Sequence, residues 1–121
     1  MSAAKRHWPI LLSTAAETDI AEILRWTAEH FGHQQARIYA ATLSAALKQL
    51  SEGPGVPGAR IRDDIARGLL TLHVARRGRK GRHFVMFRVG HDGKDEVIEV
   101  LRVLHEAMDL PRHLPLEDPG T

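Results

Sequence analysis

The chain has 121 residues, 43% hydrophobic and 26% charged, with a formal net charge of +2 and no cysteine. This is the length and apolar content of one globular domain with one core. Without cysteine, disulfides and zinc–thiolate centres are excluded and a cytoplasmic chain is expected; no apolar run reaches the ~20 residues of a membrane span.

Residues 1–7 read as a flexible tail. Lys5 and Arg6 precede Trp8–Leu12, but that run is too short for a secretory signal core. It reads instead as a short strand with Pro9 at its start, where a missing N–H is tolerated. "STAAETDIAEILRWTAEHFG" then predicts a helix. Ser13 or Thr14 can cap it, Thr14 and Glu17 have capping-box spacing, and Glu17 and Asp19 suit the helix dipole. Ala16, Ile20, Ile23, Leu24, Thr27 and Phe31 fall on one stripe, and Gly32 closes the helix. A second helix carries the stripe Ala36, Tyr39, Ala40, Leu43, Ala46, Leu47 and Leu50. The connection is so short that the two helices must form an antiparallel hairpin, both stripes facing a sheet.

"SEGPGVPG", residues 51–58, is too short to link two cores and reads as a loop within one domain. Three strands follow. Residues 70–74 alternate, 84–89 are apolar on both faces as in a central strand, and 97–104 are rich in Val, Ile and Leu. Gly78 to Gly81 and Asp92-Gly93 give hairpin signals. The expected fold is α+β in the order β-α-α-β-β-β, an antiparallel sheet with the helical hairpin on one face and a short C-terminal tail. A single domain is expected over residues 8–114, with 115–121 as a second flexible tail.

Charge is unevenly placed. Nine Lys/Arg stand against Asp63 and Asp64 between residues 59 and 88, and residues 76–88 hold six cations and no acid. Such a segment selects an anionic partner, either nucleic acid or an acidic protein segment.

The chemistry is narrowed by spacing. "HEAMD" at residues 105–109 is not H-E-x-x-H, and no other histidines have the spacing of a zinc site, so no metal is expected. "RRGRKGRH" lacks both phosphate-loop patterns, and no G-x-S-x-G is present. No cofactor is implied. Metal-free RNA cleavage needs an acid, a base and cations for the phosphorane. His83 and His105 are the candidate acid/base groups for it, with Arg62, Arg82 and Arg88 as cations. Tyr39, the single tyrosine, is expected in the core.

"LSTAAETDIAEILRWTAEHFG", "ARIYAATLSAAL", "RDDIARGLLTLHV", "RHFVMFRV" and "IEVLRVLHEAMDLPRHL", in this order over about residues 11–114, resemble the ParE branch of the RelE/ParE toxin superfamily. The closing stretch is the most specific, with Arg102–His105, Met108-Asp109 and Arg112–Leu114 as the family's R-V-L-H, M-D and R-H-L. Thr14 stands where a proline is frequent. The resemblance implies a type II toxin neutralised by a ParD-like antitoxin in a hetero-oligomer. ParE-like members act on DNA gyrase, with nucleic acid contacted only indirectly; RelE-like members cut mRNA in the ribosome.

On the gyrase reading the chain has no catalytic residue of its own. Its target surface would hold Arg76, Arg77, Arg79, Lys80, Arg82, His105, Met108, Asp109 and Arg112. Ile20, Leu24, Leu43, Leu47 and Arg82 would meet the antitoxin. The alternatives are a RelE-like ribonuclease using His83 and His105, and a binding module that is no longer toxic. The C-terminal stretch reads as part clamp on the sheet and part docking surface.

Overall fold

A computed structural model describes residues 7–108. The elements run β1 (Ile10–Leu12), α1 (Thr14–Phe31), α2 (His33–Leu50), β2 (Arg60–Ile61), β3 (Leu70–His73), β4 (His83–Asp92) and β5 (Asp95–His105). The sheet order is β1-β5-β4-β3-β2. The α+β class and the helical hairpin are as expected. The sheet, however, is mixed, because β1 lies parallel to β5 while the other neighbours pair antiparallel. β2 is an additional edge strand of two residues, too short to show a period. Asp109, Arg112 and the rest of the C-terminal stretch lie outside the described residues. No helix among the described residues is long and apolar enough to cross a membrane.

Ser13 explains how α1 starts. Its hydroxyl accepts the Ala16 N–H at 2.9 Å and donates to the Leu101 carbonyl at 2.8 Å. One side chain therefore caps the helix and ties it to β5. The cap falls one residue before Thr14, so the Thr14–Glu17 box does not form, although Glu17 still lies in the first turn. Gly32, at φ 95°, is the whole connection between α1 and α2. Only a residue tolerant of positive φ allows so abrupt a reversal.

The main core lies between the hairpin and one sheet face, where Ala16, Leu43, Ala46 and Leu50 meet Leu72, Val85, Phe87, Ile98 and Val100. A smaller cluster on the other face gathers Leu69, Met86 and Leu104 with Ile65 and Phe84. β4 is thus apolar on both faces, as its unbroken run predicts. In β5 the pairing skips Leu101, since Phe87 faces Val100 and Met86 faces Arg102. This bulge shifts the alternation, so Val100 and Val103 both reach the helix-side core.

The α1 stripe fails at its far end. Ala16 is buried, but Phe31 is 64% exposed, and Trp26 and Ile38 are each 52% exposed. The helices outrun the sheet there, leaving the faces around their connection uncovered among the described residues.

Candidate functional site

Where the helices overhang the sheet they leave an open groove of about 1180 Å³. One wall is the end of the hairpin, with Trp26, Phe31 and Ile38; the other is the start of β4, the end of β5 and residues 78–82. Met108, 42% exposed, stands at the rim. Trp26 stacks on His30 at 4.1 Å and meets Phe31 edge-on at 5.7 Å, so the apolar wall is an organised aromatic surface.

An ion pair joins the two walls. Asp19 of α1 accepts Arg102 Nε at 2.7 Å, Arg102 Nη2 at 2.8 Å and the Val103 N–H at 2.9 Å. The hydrogen bonds to this carboxylate raise the pKa of the Arg102 guanidinium above its ordinary value. Arg102 sits just past the bulge at Leu101, and its long side chain reaches Asp19 from there, tying α1 to the end of β5.

The polar end of the groove is built from three elements. His83 opens β4 opposite His105 of β5, their rings 5.2 Å apart and nearly perpendicular. Tyr39 of α2 lies 2.6 Å from His83 Nδ1 and accepts the Arg82 N–H at 3.1 Å. Burial raises the Tyr39 pKa, so the phenol keeps its proton and has it to give to His83. Burial first, then the neighbouring His105 and His73, pulls His83 down to about 4. Gly81 permits this arrangement, because a side chain there would run into Val74 and the Tyr39 hydroxyl.

A second layer lies outside. His73 Nδ1 accepts the Ala75 N–H at 3.0 Å, which places the proton of the neutral ring on Nε2, 2.7 Å from Glu106 Oε1. Glu106 also meets Arg82 at 3.3 Å, and the hydrogen bond from His73, above all, lowers its pKa. His105 Nδ1 accepts the Ala107 N–H at 3.0 Å. The arrangement can hold a neutral imidazole, a phenol and a guanidinium against one ligand.

Of the five residues proposed for RNA cleavage, His83, His105 and Arg82 line this groove. The other two are elsewhere: Arg62 pairs with Asp64 at 2.9 Å, and Arg88 with Glu99 at 2.7 Å. Tyr39 corrects the expectation of a core residue. Its ring packs against the core while its hydroxyl serves the site, and helical periodicity carries no sign of that second role.

Among the residues expected to meet an antitoxin, Leu43 is only 3% exposed and lies within the core, and Ile20, Leu24 and Leu47 pack against it. Ile20, Leu24 and Leu47 are half-buried there, while Trp26, Phe31, Ile38 and Met108 are the large apolar residues exposed in the groove among the described residues. Arg79, Lys80, Arg82, His105 and Met108 of the expected target surface line the groove, whereas Arg76 and Arg77 line a second, smaller pocket.

The ParE toxin model of type II toxin–antitoxin systems (parDE) matches residues 10–110. Toxin ParE1 of Caulobacter vibrioides is 32% identical over 108 residues, which is 88% of this chain and 97% of the relative. Toxin ParE1 of Mycobacterium tuberculosis is 34% identical over 104 residues, covering 86% and 95%. In fold, the chain is similar to the toxin–antitoxin complex RelBE2 from Mycobacterium tuberculosis, with a TM-score of 0.57 and 19% identity over 88% of this chain and all of that one. It is also similar to a YoeB/ParE toxin from Agrobacterium tumefaciens, with a TM-score of 0.52 and 11% identity over 80% and 97%. The family match along nearly the whole described fold leads to one conclusion: the chain belongs to the ParE toxin family of type II toxin–antitoxin systems.

Proposed function

We propose that this chain is a cytoplasmic toxin that inhibits DNA gyrase, and so DNA replication, and that a ParD-like antitoxin neutralises it by direct binding. The observation that carries the antitoxin part is the groove, whose exposed Trp26, Phe31, Ile38 and Met108 offer a contiguous apolar surface to a partner. An amphipathic helix fits such a groove, with acids on its flank facing Arg79, Lys80 and Arg82. The gyrase part rests on family membership, since ParE-like toxins act there while RelE-like toxins of the same fold cut mRNA. On this reading, gyrase supplies the chemistry and the toxin supplies contacts.

RNA cleavage is a second reading, favoured by the Tyr39–His83–His105 contact beside Arg82. A neutral His83 can act as a base, and Arg82, with its side chain 74% exposed, can reach a phosphate.

A supercoiling assay with purified gyrase, run beside a ribosome-dependent mRNA cleavage assay, separates the two. Loss of supercoiling without mRNA cleavage is expected, and cleavage without any gyrase effect reverses the assignment. Co-expression with the neighbouring operon product should yield a stable complex; failure to co-purify in moderate salt would remove the antitoxin part. Normal growth on expression without the antitoxin would indicate a binding module that is no longer toxic.

A further inference from the structure

A second pocket, of about 250 Å³, opens where the end of α2 meets the loop between β3 and β4. It is lined by Lys48, Gln49, Arg76, Arg77 and Arg79, with Glu52 as its one acid. Gln49 is only 9% exposed, and its Nε2 is a buried donor with no acceptor among the described residues. The amide orientation is set chemically. Arg76 Nε donates to Gln49 Oε1 at 2.8 Å, and turning the amide over would oppose two donors. A buried N–H without an acceptor is costly enough to need a reason.

The cations around that donor are held in place. Arg76 is held by Gln49, and Gly58 leaves room beside its guanidinium. The Arg79 N–H donates to the Arg76 carbonyl at 2.9 Å, closing a turn whose central residues, Arg77 and Gly78, have φ of 51° and 84°. Such a turn favours Asn or Gly at its first central position, and arginine there is strained. No carboxylate pairs with Arg77 or Arg79 among the described residues. The last carbonyls of α2, which would repel an anion, are already occupied: Lys48 by Ser51 N and Oγ, Gln49 by Glu52 N, and Leu50 by Gly53 N.

We propose that this pocket binds a phosphate of the nucleic-acid backbone, with Gln49 Nε2 and the guanidiniums of Arg76, Arg77 and Arg79 as donors. Phosphate supplies the acceptors that a neutral amide and bidentate guanidiniums lack. A polymer is favoured over a single carboxylate because Arg79 lines both this pocket and the groove. Arg79, Lys80 and Arg82 thus continue the positive charge from one to the other, matching a ligand whose charge repeats along its length. The site is independent of which target the groove takes.

The test uses the full-length chain, a fluorescein-labelled duplex of about two helical turns, and inorganic phosphate. Phosphate should shift the Gln49 side-chain amide pair in a ¹⁵N–¹H spectrum. Gln49→Glu keeps the acceptor for Arg76 but puts a carboxylate where phosphate would sit, so duplex affinity should fall about tenfold or more without loss of Tm. Arg77→Asn suits the turn better, so it should fold at least as stably while weakening binding and reducing the salt slope by about one. Arg88→Ala removes equal charge at a distance and should change affinity less than about twofold. The proposal is overturned if phosphate leaves the Gln49 amide unmoved, or if Gln49→Glu and Arg77→Asn bind duplex as the unmodified chain does. A Glu-rich peptide of matched charge that binds more tightly than the duplex would overturn the nucleic-acid assignment.

Discussion

The two ends of the β4–β5 hairpin are made from the same strands and have opposite fates. At the turn end, Asp92 faces Asp95 across Gly93-Lys94, and Arg88 meets Glu99 with the guanidinium side chain half exposed. Arg88 and Glu99 satisfy each other there at the water's edge. At the open end, His83 faces His105 beneath an overhanging helix, Arg102 is clamped by Asp19, and Tyr39 adds a hydroxyl from α2. The difference comes from what lies above the strands: where a second layer excludes water without filling the space, polar groups acquire shifted pKa values and apolar ones stay available.

The largest effect should come from the ion pair at the open end. Asp19→Ala removes a carboxylate whose side chain is 11% exposed and which accepts three N–H groups. Urea unfolding should show a loss of about 3 kcal/mol, in the range for breaking a shielded pair. Asp19→Asn, which retains an oxygen for Val103, should lose less. An unchanged midpoint for Asp19→Ala would place the two ends of the hairpin on an equal footing.

Next in size is the groove wall. Trp26→Ala should cost about 2 kcal/mol in antitoxin affinity, the scale of a buried aromatic anchor, while leaving Tm nearly unchanged because Trp26 is half exposed. Calorimetric titration of the antitoxin measures this directly, and equal affinity would move the partner off the groove.

Tyr39→Phe should cost about 1 kcal/mol of stability, since it removes two hydrogen bonds at a half-buried site. On the RNA-cleavage reading it also abolishes activity; on the gyrase reading it leaves supercoiling inhibition largely intact.

Acid should separate the ends without any substitution. His83 is depressed to about 4 in the folded chain, against about 6.5 unfolded. Between those values the unfolded chain binds more protons, so stability rises with pH there. The contribution is present above about pH 6.5 and lost as pH falls toward 4. An NMR titration should find His83 still neutral at pH 5, and a midpoint near 6.5 would disprove the shift. The smallest effect belongs to the turn end, where Arg88→Ala should change stability by less than about 0.5 kcal/mol.

Much of this layout was legible in the residues. The helical stripe, Gly32, the two-faced run of β4 and the Asp-Gly signal each report a local preference, and local preferences survive folding. Family membership was legible too, because motif order is a property of the chain. The unread parts were those that depend on contact between distant segments. β1 beside β5 and the bulge at Leu101 are choices of strand pairing, to which a period of two is blind. Tyr39 reads as core because periodicity locates a ring and says nothing of its hydroxyl. Ile20, Leu24, Leu43 and Leu47 have the same apolar character as Trp26, Phe31 and Ile38. Only the length of the sheet beneath the helices decides which set packs on the core and which stays exposed. The basic run of residues 76–88 was plain as charge; that Gln49 stands behind it with a donor unanswered among the described residues is a fact of tertiary structure, because 27 residues of chain separate Gln49 from Arg76.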